Sequence, residues 1–128
     1  MSKAMLLPLA LIAAGAAHAG TYSVLQDVDC RLITAGEVSQ VIQKAGTDTG
    51  LNLPKDMAIR AEVHCARDTA SQRFVYTIRA TIEKLVSDGE QLRWTSVAQN
   101  TGYGTTVNSA SLLREVRFTV RDVIRQEP

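Results

Sequence analysis

Two histidines, two cysteines and thirteen acidic side chains are the main metal-ligating and acid–base groups that these 128 residues offer. His18 falls in an export leader, so His64 is the single imidazole of the mature chain. A Ser-His-Asp system would need His64 as its base, yet no Gly-x-Ser-x-Gly elbow is present. His64 is expected to be a solvated residue beside Glu62 and Arg60. Zinc sites draw on several His or Cys ligands, and with one imidazole and two cysteines expected to pair, no metal site is expected. No EF-hand pattern or complete phosphate-loop or dinucleotide motif appears, and no cofactor is expected. A pair of carboxylates is enough to hydrolyse a glycoside. The candidates are Asp27, Asp29, Glu37, Asp48, Asp56, Glu62, Glu83 and Glu90, none set in a context that suggests a buried acid beside an ionised partner. A small carboxylate hydrolase is therefore the third functional reading, and the leading expectation is a protein that is not an enzyme.

Cys30 and Cys65 stand 35 positions apart. Two thiols in an exported chain read as one disulfide, and closing a loop of that length is worth roughly 3–4 kcal/mol in the chain-entropy model. The absence of a Cys-x-x-Cys spacing argues against a redox or metal pair.

Two further patterns suggest binding. Asn100 to Asn108 reads as a loop, and its Gly102-Tyr103-Gly104 core leads toward a helix start, where backbone amides can meet an anion. It lacks the lysine of a phosphate loop and the third glycine of a dinucleotide fingerprint. If it takes a ligand, Tyr103 is the contact. The other pattern is Arg114, Arg117, Arg121 and Arg125, which gather on one side of the last helix with Phe118 among them. An aromatic among arginines is typical of interface hot spots, although a solvated helix face can carry the same charges.

The elements that position these residues follow from periodicity and capping. Lys3, the uncharged run Ala4 to Ala17 and Ala17-His18-Ala19 have the form of a cleavable signal peptide over residues 1–19. The run is too short to span a bilayer comfortably, and no cysteine at the cut offers a lipid anchor. A single domain of 109 residues, 20–128, then remains. Losing Lys3 leaves 13 basic residues against 13 acidic ones, ten of the cations being arginine. That balance argues against a general nucleic-acid binder.

Thr21 to Leu25 is a possible short strand. Thr34-Ala35-Gly36-Glu37 matches a capping box and opens an amphipathic helix expected to stop at Gly46. Met57, Ile59, Ala61, Val63 and Cys65 alternate with polar neighbours, as do Phe74 to Ile82 in the strand from Arg73 to Val86. Ser87-Asp88-Gly89 reads as a three-residue hairpin loop with Gly89 left-handed. That register pairs Ile82 with Trp94, which buries the tryptophan, and sets Glu83 opposite Arg93. Asn108 or Ser109 caps a final helix reaching Gln126. On a wheel of about 100° per residue, Leu113, Val116, Val120, Val123 and Ile124 face inward with Leu112 at the edge.

The expected fold is an α+β two-layer sandwich, a three-stranded antiparallel meander covered by an N-terminal and a C-terminal helix. The expected function is contact with another macromolecule, an unidentified protein or envelope component, in the periplasm or outside the cell. The second reading is a small-ligand or anion module built on the Gly102-Tyr103-Gly104 loop. Signal and size resemble those of small exported bacterial proteins, and no motif narrows this to a family.

Overall fold

A computed structural model of the protein describes residues 22–126, so the leader expected over residues 1–19 lies outside the described part. The elements run β1 (Ser23–Asp29), α1 (Ala35–Thr49), β2 (Met57–Asp68), β3 (Arg73–Asp88), β4 (Gln91–Thr106) and α2 (Ser109–Arg125). The capping box is formed. The Glu37 amide donates to the Thr34 hydroxyl at 3.1 Å and the Thr34 amide to the Glu37 carboxylate at 2.9 Å. Val38, Ile42 and Ala45 then turn into the core. The helix passes through Gly46 and ends at Gly50, whose φ of +70° closes it in the left-handed conformation. Gly46 serves packing instead. A Cβ there would sit 2.5 Å from the Tyr22 hydroxyl, and burial of that hydroxyl raises its pKa.

α2 begins where Asn108 accepts a hydrogen bond from the Ser111 amide at 2.8 Å. Val116, Val120 and Val123 are fully buried, as is Leu112, while Leu113 is only partly so. The buried side of the helix is thus rotated slightly from the expected one.

The sheet is four-stranded, in the order β1-β2-β3-β4, and β1 runs parallel to β2. This corrects the expected three-stranded antiparallel meander. The meander exists as β2-β3-β4, and the extra strand reaches its parallel place because α1 and the segment after it supply the crossover that parallel pairing requires. Within β1, Val24 and Val28 pack against the core, while Asp27 and Asp29 lie exposed. Directly beyond the last pair, Asp29 with His64, Cys30 and Cys65 are bridged, with 4.8 Å between their Cα atoms.

Ile59, Ala61, Val63, Ile78, Ala80 and Ile82 form the buried side of the sheet, and together with both helices they make one core cluster. Alternation sends Arg60, Glu62, His64, Thr77 and Arg79 to the other, open face.

The β3–β4 hairpin departs from the expected register. Asp88 pairs with Gln91, so the loop is the two residues Gly89 and Glu90. Gly89 takes φ +71° at the first central position, as a type II′ turn requires. Trp94 accordingly faces Leu85 and Glu83 faces Ser96, while Arg93 lies opposite Val86 and bridges Asp88 at 3.1 Å. Farther along, Ser96 pairs with Glu83 and Ala98 with Ile82, so Val97 is an extra, bulged residue. The bulge exchanges the two sides of β4. Before it, Leu92, Trp94 and Ser96 share the open face; after it, Gln99, Thr101 and Tyr103 do. Trp94 is therefore only half-buried, on the face opposite the core.

Candidate functional site

The arginine stripe forms a crest on α2. Arg114 and Arg125 are exposed, Arg117 and Arg121 are half-buried, and Phe118 is 39% exposed. The Arg117 guanidinium lies 5.3 Å from the centre of the Phe118 ring, within reach of a cation–π interaction. The Nε atoms of Arg117 and Arg121 are withdrawn from solvent, with no hydrogen-bond partner among the described residues. Arg125 reaches Asp122 at 3.8 Å. The other acid of the helix, Glu115, lies on the β4 side, where its charge and, more strongly, burial raise the pKa of Tyr76. The acids thus leave the crest largely cationic. On its α1 side the crest descends into a groove of about 310 Å³ lined by Val41, Lys44, Ala110, Leu113, Arg114 and Arg117.

The Gly102-Tyr103-Gly104 segment is not a loop. It lies inside β4, with Tyr103 paired to Thr77 and the glycines to Ile78 and Tyr76, so the expected loop from Asn100 to Asn108 is corrected to strand through Thr106. Its glycines exist for close approach. A Cβ on Gly102 would stand 3.0 Å from the Thr119 hydroxyl of α2, and one on Gly104 would stand 2.7 Å from the Tyr76 hydroxyl. Both point to the helix side. Tyr103 is thereby committed to the open face, where it is 86% exposed.

That open face carries an ordered grid of side chains. The register aligns Asp27, Glu62, Arg79 and Thr101 in one row across the four strands, and Asp29, His64, Thr77 and Tyr103 in the next. Arg79 approaches Glu62 at 3.6 Å and donates to Gln99 at 3.3 Å, and His64 Nδ1 meets Asp29 at 3.1 Å. One row further, Arg60 donates to Glu83 at 3.0 Å and to Asp27 at 2.8 Å, and the Thr81 hydroxyl donates to the same Glu83 oxygen at 3.0 Å. Burial opposes the Arg60 charge, but these hydrogen bonds outweigh it and lift its pKa. Glu62, His64, Thr77, Arg79, Thr101 and Tyr103 border a shallow depression of about 420 Å³.

The carboxylates singled out for hydrolysis are mostly engaged elsewhere. Asp27 and Glu83 share Arg60, Asp29 meets His64, Asp48 meets Lys44 and Glu62 meets Arg79. Glu37 closes the α1 cap. A hydrogen bond from Lys84 at 2.7 Å holds the Asp56 carboxyl below its ordinary pKa. Glu90 sits in the β3–β4 turn. Among the described residues no group of three or more His, Cys, Asp or Glu side chains is placed to hold a metal ion, and no helix is long and apolar enough to cross a membrane.

The open-face grid escaped sequence reasoning as a site. The alternation of β2 and β3 did place Glu62, His64 and Arg79 on one polar face. Aligning Tyr103 with them required the bulge, which leaves no local signature around Val97. The chain matches no protein-family model, and no curated protein is similar to it in sequence.

Proposed function

We propose that this is an exported, non-enzymatic binding protein that acts by contact with another macromolecule in the envelope or outside the cell, and that the crest of α2 makes the contact. The observation that carries this reading is the Arg117–Phe118 pair. A guanidinium lies over a part-exposed aromatic ring, and its Nε is withdrawn from solvent without an acceptor among the described residues. An unmet buried donor costs about 1–3 kcal/mol, which a partner's acceptor recovers on binding. The opposite side of α2 already supplies the core, so Phe118 is not needed to complete it. The Cys30–Cys65 bridge fits an oxidising compartment.

The test is the double change Phe118→Ala and Arg121→Ala. It leaves folding within about 1 kcal/mol in denaturant titration, as surface changes usually do. It also abolishes capture of whatever partner the unaltered mature protein recovers from envelope extract or culture medium. Unfolding of the variant, or undiminished capture by it, refutes the crest as the interface.

A further inference from the structure

The depression on the open sheet face is independent of the α2 crest, and its chemistry is different. Tyr103 stands on edge strand β4 and is 86% exposed, with Gly102 and Gly104 directed to the other side. The same-face residues next to it are small: Thr77 across the ladder, Thr101 and Thr105 along its strand. His64 forms the far wall in the same row, two strands away. Neighbouring strands lie about 4.8 Å apart, so the two walls stand roughly 10 Å apart with Thr77 as the floor between them.

The one ion pair of the lining is internal to it: Arg79 faces Glu62 at 3.6 Å, while His64 Nδ1 lies 3.1 Å from Asp29. Such a lining presents donors and acceptors at fixed positions with little net charge, which matches a neutral partner rich in hydroxyls better than an ion. The exposed aromatic face calls for an apolar surface of similar size. A pyranose ring has both properties, with axial C–H groups on its faces and a rim of hydroxyls. The depression is open above, so it suits an internal sugar of a chain better than a small molecule that must be enclosed.

We infer that the open face of the sheet is a glycan-binding site, on which Tyr103 stacks against one pyranose of a β-1,4-linked chain. Glu62, Arg79 and Thr101 hydrogen-bond its hydroxyls and His64 bounds the far side. The β-1,4 linkage is specified because equatorial bonds at both ends keep such a chain flat, and a flat ribbon can lie along a sheet.

The experiment titrates the ¹⁵N-labelled mature protein with cellohexaose and chitohexaose. Amide shifts are expected at Thr77, Arg79, Thr101 and Tyr103, with α2 unmoved. Tyr103→Ala weakens binding by about tenfold or more, the size of a lost aromatic stacking contact plus its buried area, at an unchanged melting temperature. Tyr103→Phe, which keeps the ring, stays within about threefold of the unaltered protein, since its hydroxyl makes at most a weak exposed hydrogen bond. Glu62→Gln weakens binding without unfolding and serves as a second variant. The Phe118→Ala, Arg121→Ala protein binds both sugars normally, which keeps this site separate from the crest. The proposal is overturned if neither sugar moves these amides, if Tyr103→Ala binds as well as the unaltered protein, or if Tyr103→Phe loses as much as Tyr103→Ala.

Discussion

Tyr76 shows how one side chain links the two layers. Its ring is buried on the helix side of β3, and its hydroxyl occupies the space a Cβ on Gly104 would need. Burial first, and the Glu115 charge second, push its pKa above the ordinary tyrosine value. A raised pKa means that the folded state holds the proton more tightly than the unfolded chain. The resulting stability is fully present below about pH 10, the unfolded tyrosine value, and is lost as pH rises through the higher folded value. Denaturant titrations at neutral and alkaline pH are expected to show that loss, and Tyr76→Phe is expected to reduce it while changing neutral-pH stability little. A pH dependence unaltered in the variant would place the alkaline sensitivity elsewhere, Tyr22 being the next candidate. The glycines opposite Tyr76 and Thr119 were conspicuous in the sequence, but as a ligand loop. Their packing role depends on what stands across from them, and a local reading contains no such information.

Among the elements, β4 decides most of the functional surface. Its bulge at Val97 lets Trp94 and Tyr103, nine residues apart, share the open face. Without an extra residue, an odd separation would put them on opposite faces. Deletion of Val97 joins Ser96 directly to Ala98, whose partners Glu83 and Ile82 are already adjacent, so the ladder becomes regular and every side chain keeps its face. The deletion is therefore expected to fold, at a cost of about 1–2 kcal/mol, within the usual range for single changes. Deletion of Thr101 instead reverses one side of the strand and forces Tyr103 toward α2 or Gly102 away from it. That variant is expected to lose its cooperative thermal transition by circular dichroism. Equal tolerance of the two deletions would show that the bulge does not set the register. The same element explains why Trp94 reads wrongly from sequence. A three-residue loop would bury Trp94 opposite Ile82, whereas the loop has two residues with the left-handed Gly89 at its first central position, and the bulge sets the pairing farther on.

At the scale of the molecule, the Cys30–Cys65 bridge ties the parallel strand β1 to the meander. It sits immediately past the last β1–β2 pair, at the end of an edge strand only seven residues long. Replacing both cysteines by alanine is expected to lower stability by roughly 3–4 kcal/mol in the loop-closure model. Hydrogen exchange is expected to show β1 amides losing protection before those of β2 and β3, because β1 is an edge strand hydrogen-bonded to the sheet along one side only. Uniform loss of protection would mean that the bridge acts on the whole fold through the unfolded chain and gives β1 no special support.

The sequence by itself determined what depends on near neighbours along the chain. The Thr34–Glu37 cap, the Asn108 helix start, the apolar sides of α1 and α2, and the inward series from Met57 to Cys65 are all local, because helix and strand periods bring together residues only a few positions apart. Inward placement of Cys65 also made its pairing with Cys30 readable. Tertiary structure decided the rest: the parallel place of β1, the passage of α1 through Gly46, the close packing of Gly102 and Gly104, and the alignment of Tyr103 with His64. Each depends on a partner distant in sequence. A one-residue bulge, which costs little locally, is enough to exchange the faces of everything that follows it.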